Sequence, residues 1–450
     1  MNLPEKFSDR LKTILGDTYG EFEKALQTES PVSIRLNPAK PFKPAFALND
    51  PVPWSSRGYY LETRPVFTLD PAFHAGAYYV QEASSMIIEH IIKNHAPAGR
   101  PLRVLDLCAA PGGKTTLLAS LLSENDLLVA NEVIKGRVSI LKENLLKWGF
   151  PNVITVNQDP ETFADLEGFF DIVLVDAPCS GEGMFRKTPD AVNEWSEENV
   201  LICSARQKRI LSAAAMLVAP DGLLVYSTCT YNAPENQENA HWLTRTLDFE
   251  PVEIEVPEAW GIVKGNPGLQ FFPHRVKGEG FYVAAFRNKS RDERYVKGKP
   301  NIPRLPRRQA ELLARWIRPE AYGSFEYFLK NDGVIIAIKQ SLLNETGSVL
   351  RALQKRSSGL ELGHFKGNDF IPSHALALSG LVSEEVQRID LPERDALLYL
   401  KKEAFELPEH RNGWALATYE NLALGWVKII GERTNNYLPT EWRIRMKLEE

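Results

Sequence analysis

The chain reads as an α/β protein built on one doubly wound, mostly parallel sheet, with a small α/β domain before it and α+β domains after it. Three observations predict this. Between about Arg103 and Arg287, short apolar runs alternate with amphipathic stretches, the pattern of successive βαβ units. At 104–115 an apolar run passes through small residues and two glycines into a helix-like stretch, a strand–turn–helix unit. The length of 450 residues exceeds one ordinary core, so two or three domains are expected.

In order, 104–107 reads as a strand, 114–122 as a helix, 127–130 as the next strand and 135–148 as a second helix, with Ile140, Leu141 and Leu145 as its apolar stripe. Runs at 153–156 and 172–175 are β-branched and bounded by turn residues, so they continue the alternation. A helical region at 197–217 precedes a strand at 223–227, and a late strand at 281–286 can pair antiparallel with 251–256. The expected domains are 1–95, a helical opening followed by a strand at 33–37 and a Pro-rich stretch; 96–290, the sheet; 291–360, a basic linker and a first C-terminal block; and 361–450, ending in strand-like runs at 415–419 and 424–430. No internal repeat or low-complexity tract occurs.

Hydrophobic residues make up 44% and charged residues 25%, which excludes disordered and fibrous classes. A net charge of -5 does not mark a general polyanion binder, so a nucleic-acid surface has to be a local patch. One such stretch holds Arg291, Arg294, Lys297, Lys299, Arg304, Arg307 and Arg308 among three prolines; it reads equally as a solvated basic linker. The charged opening residues contain no secretory h-region, and no apolar run approaches the roughly eighteen residues a bilayer requires. A cytoplasmic protein without membrane contact is expected. The four cysteines, Cys108, Cys179, Cys203 and Cys229, show no CxxC spacing, so no metal site is expected and the thiols should be free.

The segment from Val104 through Asp106, Cys108, Ala109, Ala110, Pro111, Gly112, Gly113 and Lys114 puts backbone N–H groups and a helix N-terminus toward one point. It is not a P-loop, because Cys108 stands where that loop has its first glycine, and no G-x-G-x-x-G is present. Glu132, about twenty residues past the glycines, is spaced to accept hydrogen bonds from ribose hydroxyls. Asp159 is similarly placed for an adenine edge after the third strand, and Asp176 ends the fourth at the same carboxyl edge.

That fourth strand runs into Asp176-Ala-Pro-Cys179-Ser-Gly181, and the fifth into Ser227-Thr-Cys229-Thr230. A free cysteine taken alone is most often a buried apolar side chain. Two of them at two strand ends beside a ligand loop are harder to assign to packing.

These three segments, in this order and spacing, resemble the NOL1/NOP2/Sun family of RNA cytosine-5 methyltransferases, and within it the bacterial ribosomal-RNA members. Gln81-Glu-Ala-Ser-Ser85 resembles a further element of that family, and reads otherwise as a helix cap. The resemblance implies a Rossmann-like class I methyltransferase sheet. It further implies that Cys108 to Lys114, Glu132, Arg137, Asp159 and Asp176 bind S-adenosylmethionine, that Cys229 is the nucleophile, and that Cys179 assists product release. Cys203 fits no motif and is expected to be structural. The last block, through Leu424-Gly-Trp-Val-Lys428 and residues 436–442, is similar to a PUA-type RNA-binding module. On that likeness the partner is RNA, small-subunit ribosomal RNA before transfer RNA, bound by a monomer.

The chemistry calls for such a layout. Carbon 5 of cytosine is a poor nucleophile until a thiolate adds at carbon 6, and the base must lie outside its helix to be reached. Asp176 can bond the N3/N4 edge as the adduct is protonated. Arg186 and Lys187, just beyond Cys179, are candidate phosphate contacts. A methyltransferase acting on an exocyclic amine would carry Asp/Asn-Pro-Pro-Tyr/Phe where this chain has Asp176-Ala-Pro-Cys179. A non-catalytic ribosome-assembly factor would have no use for Cys229.

Overall fold

The central sheet is assembled by alternating burial. Along the strand Phe170–Asp176, Val173 and Val175 face one apolar cluster while Ile172 and Leu174 face another on the opposite side, so successive side chains serve two cores. The molecule, a computed structural model, describes residues 2–290, 298–355, 358–407 and 410–448. Its central sheet has nine strands. Arg103–Asp106, Leu127–Asn131, Val153–Val156, Phe170–Asp176 and Val218–Thr228 run parallel, and Phe281–Asn288 returns antiparallel beside Val218–Thr228. Phe249–Val252 pairs antiparallel with that returning strand, from Phe249 against Asn288. The two are no direct hairpin, because Val263–Lys264 and Leu269–Phe271 lie between them and extend the same edge.

The helices follow their caps. Glu197–Leu217 begins where the Ser196 hydroxyl accepts the Asn199 N–H at 3.1 Å, satisfying one open donor of the first turn. Lys135–Trp148 ends at Gly149 with φ of 85°, a left-handed cap that favours glycine. Its buried face is Val138, Leu141, Leu145 and Trp148, and Ile140, expected on the apolar stripe, is 52% exposed. At 100° per residue, Val138 shares a face with Leu141 and Leu145, whereas Ile140 is turned toward solvent.

Before the central sheet stands an antiparallel sheet ordered Asp50–Pro51, Gly58–Leu61, Val32–Leu36 and Tyr78–Val80. After it, Phe325–Leu329, Val334–Lys339, Leu360–Lys366 and Asp369–Pro372 form a meander. Residue 360, the expected division between C-terminal blocks, begins the third strand of that meander, which continues to Pro372. The last sheet is Gln387–Asp390, Gly413–Tyr419, Leu422–Ile430 and Arg433–Asn436. It shares one apolar cluster with the N-terminal sheet, in which Ile34, Leu61 and Tyr78 lie with Tyr399, Val427 and Ile429. The opening helices Glu5–Leu15 and Tyr19–Leu26 pack elsewhere, their Phe7 and Phe22 buried with Phe185, Trp195, Tyr231 and Phe272. No helix among the described residues is long and apolar enough to cross a membrane.

Candidate active site

The parallel strands release their chains at one edge, where ligands of such sheets collect, and there a cavity of about 400 Å³ opens. The turn after Arg103–Asp106 forms one wall. Gly112 sits at the helix N-cap with φ of 115° and accepts the Thr116 N–H at 2.8 Å. Leu141 already lies 3.3 Å from where its Cβ would stand, so both the backbone conformation and the space favour glycine. Cys108, Ala109, Ala110, Pro111, Gly113 and Lys114 line the cavity. Arg137, Asp176 and Cys229 line it as well, whereas Gly112, Glu132, Asp159 and Cys179 do not.

Burial governs the charges here. Asp106 is fully buried, and loss of hydration pushes its carboxyl up to about 7 despite a 2.6 Å hydrogen bond from the Thr115 hydroxyl. Burial opposes the charge of Lys114, but its 2.8 Å pair with Asp176 outweighs this and holds the ammonium above its ordinary value. Asp176 also accepts the Ser227 hydroxyl at 2.8 Å. Cys108 is held as a thiol, since burial first and the carboxylates of Asp106, Asp176 and Glu132 next push it well above the usual range.

Two buried carboxylate oxygens, Oδ1 of Asp106 and Oε2 of Glu132, have no hydrogen-bond partner. Oε1 of Glu132 accepts the Ile134 N–H at 2.8 Å, and Arg137 lies 3.3 Å from Oε2 without hydrogen-bond geometry. Unsatisfied buried acceptors are costly, so these oxygens fit a ligand that brings donors, as ribose hydroxyls and an ammonium do. Asp159 stands apart, accepting the Glu161 N–H at 3.1 Å and pairing with Arg209 at 3.2 Å near the surface.

The sulfur atoms of Cys179 and Cys229 lie 2.9 Å apart, and the Cys229 N–H points at the Cys179 sulfur at 3.3 Å. Contact with the Cys229 sulfur first, then burial, pushes the Cys179 thiol well above its ordinary range. Around the pair the two turns are tied together. Glu235 accepts the Ser180 N–H at 3.0 Å and the amides of Asn232 and Gln207, each at 2.7 Å. Glu182 accepts the Thr230 hydroxyl at 2.7 Å and the Tyr231 N–H at 3.1 Å. Neither glutamate announces itself in the sequence, where each sits in a polar stretch that reads as solvated.

Other expectations divide. Arg186 is not free for phosphate: it is buried, pairs with Glu279 at 3.2 Å and donates to the Gly278 carbonyl at 2.7 Å. Lys187 is exposed at the cavity mouth. Glu82 lines the cavity and caps the turn Ser84–Met86, accepting the N–H groups of Ser84 and Ser85 at 2.9 and 3.0 Å. Cys203 is buried in the long helix. In the basic stretch, Arg291, Arg294 and Lys297 fall outside the described residues; Arg304 and Arg307 pair with Glu326 and Glu311. Lys299 shares a cleft of about 780 Å³ with Lys330, Arg351 and Lys355.

Three stretches of the chain match known family models. Residues 97–287 match the family described as 16S rRNA methyltransferase RsmB/F, residues 3–83 the N-terminal domain of 16S rRNA methyltransferase RsmF, and residues 386–444 the methyltransferase RsmF PUA domain. The protein named ribosomal RNA small subunit methyltransferase F of Serratia proteamaculans is 33% identical over 412 residues, covering 87% of this chain and 84% of that protein. Its namesake in Cronobacter sakazakii is 31% identical over 98% of this chain and 96% of its own. Among solved structures, a methyltransferase homolog protein from Pyrococcus horikoshii superposes with a TM-score of 0.55 at 27% identity, over 63% of this chain and 95% of that one. The chain belongs to the RsmB/F family of methyltransferases and carries the N-terminal and PUA domains of its RsmF members.

Proposed function

We propose that the protein methylates carbon 5 of a cytidine in 16S ribosomal RNA, with S-adenosylmethionine as donor and Cys229 as the attacking sulfur. The observation that carries this reading is the pair of thiols in contact at the ends of two adjacent parallel strands, one of them open to the cavity. The name shared by the relatives, ribosomal RNA small subunit methyltransferase F, supports the choice of RNA, and the reaction belongs in the cytoplasm with the ribosome.

The loop Cys108 to Lys114, Arg137 and the carboxylates of Glu132, Asp106 and Asp176 would hold the cofactor; Asp159 would join them only on leaving its pair with Arg209. When bound, it supplies the methyl group that carbon 5 accepts. Cys229 adds to carbon 6 of a cytosine drawn out of its stack, which makes carbon 5 nucleophilic. Asp176, steadied by Lys114 and Ser227, bonds the N3/N4 edge while the ring carries the added proton. The carbon 5 proton then leaves and the Cys229–carbon 6 bond breaks, returning the electron pair to sulfur. Cys179, in contact with the attacking sulfur, or a water that it orients, takes that proton.

The test is bisulfite sequencing of ribosomal and transfer RNA from a strain lacking this protein, complemented with wild type or Cys229→Ala. A 5-methylcytosine lost from 16S RNA, restored by wild type and not by Cys229→Ala, is the expected result. Restoration by Cys229→Ala would overturn the nucleophile, and a loss confined to transfer RNA would overturn the substrate.

A further inference from the structure

Glu182 stands three residues past Cys179 and is completely buried. Its carboxylate receives four donors. Besides the Thr230 hydroxyl and the Tyr231 N–H, it accepts the Trp195 indole N–H at 2.8 Å and the guanidinium of Arg10. The next residue, Gly183, donates its N–H to the carbonyl of Cys229 itself at 2.9 Å. The backbone from the Cys229 carbonyl through Tyr231 is therefore held by the turn that carries Cys179.

A glutamine could not replace this group, because its amide offers one acceptor oxygen where four donors converge. A carboxylate satisfies all four and needs a countercharge, since an unpaired buried charge is strongly destabilising. That charge comes from Arg10 on the opening helix Glu5–Leu15, a region outside the central sheet. The same helix sets Phe7 against Phe185, with ring centres 5.1 Å apart, and against Trp195 at 5.9 Å.

We infer that Glu182 is a positioning residue for Cys229 and that Arg10 is its charge partner, so that the opening helix forms part of the active centre. The inference rests on the reading of Cys229 as the nucleophile. A sulfur displaced by about 1 Å from its attack geometry can lose on the order of a hundredfold in rate; holding Thr230 and Tyr231 prevents such a displacement.

The variants are Glu182→Gln, Arg10→Gln and Arg10→Lys in the full chain. Each is assayed for methyl transfer, cofactor affinity, thermal melting and covalent capture by RNA carrying 5-fluorocytidine, whose carbon 5 fluorine blocks release. Glu182→Gln should lower kcat and the capture rate together, by ten- to a hundredfold, with cofactor affinity within twofold of wild type. Arg10→Gln should change both in the same direction, and Arg10→Lys should recover most of the loss. A folded Glu182→Gln protein with kcat within twofold of wild type overturns the inference, as does a fall in kcat with capture unchanged. Should Glu182→Gln fail to fold, Arg10→Gln decides, because the Arg10 side chain is 25% exposed and can turn to solvent; wild-type kcat there also overturns it. Capture by Cys229→Ala would instead defeat the nucleophile reading on which the inference stands.

Discussion

Cys179 and Cys229 are fifty positions apart in the chain and 2.9 Å apart at sulfur. The strands that deliver them are neighbours, Phe170–Asp176 beside Val218–Thr228, with Asp176 in register with Ser227. Each thiol follows its register partner by two or three residues, so the sheet itself brings the sulfurs together.

Under the proposed chemistry the two thiols have separable roles. Cys179→Ala should leave attack intact and impair departure, accumulating a protein–RNA adduct that survives denaturing electrophoresis. A variant that turns over normally without adduct would assign the release step to another group.

Glu132 presents a buried oxygen without a hydrogen-bond partner. A hydrogen bond to a charged acceptor contributes on the order of 2 kcal/mol, so Glu132→Gln should weaken S-adenosylmethionine binding by roughly thirtyfold. Calorimetry on the Cys229→Ala background measures this without turnover. Unchanged affinity would restrict Glu132 to its contacts with Ile134 and Arg137.

Asp106 predicts a pH dependence. Its folded carboxyl titrates near 7 against an ordinary value of 3.8, so between those values the folded protein binds a proton that the unfolded chain releases. Stability contributed by this site is therefore lost as pH rises through that window. Relative to Asp106→Asn, the wild-type unfolding free energy should fall by on the order of 2 kcal/mol between pH 5 and pH 8. Parallel denaturation curves at the two pH values would show the difference, and equal slopes with pH would refute it.

Much of the fold was legible because its signals are local. The helices read at 135–148 and 197–217 are present as Lys135–Trp148 and Glu197–Leu217, and the β-branched runs at 153–156 and 172–175 lie in strands. Ile140 misled because an apolar residue names no face until its angular position relative to Leu141 and Leu145 is counted. In the site, the glycine turn was readable as one contiguous segment, of which every residue from Cys108 to Lys114 except Gly112 lines the cavity. Glu182, Glu235 and the Arg186–Glu279 pair were not. Each is a charge whose burial depends on partners far along the chain, and a polar side chain in a loop looks the same in sequence whether water or protein surrounds it.

The apolar cluster shared by Ile34, Leu61 and Tyr78 with Tyr399, Val427 and Ile429 works as a clasp between the two ends of the chain. Cutting the polypeptide after the central sheet would do more than remove the PUA domain. It would strip the outer face of the N-terminal sheet, leaving a sticky surface on a fragment that still held every cysteine. Evolution could therefore shed or exchange the C-terminal module only by resurfacing residues hundreds of positions away, so the first and last domains are bound to change in concert.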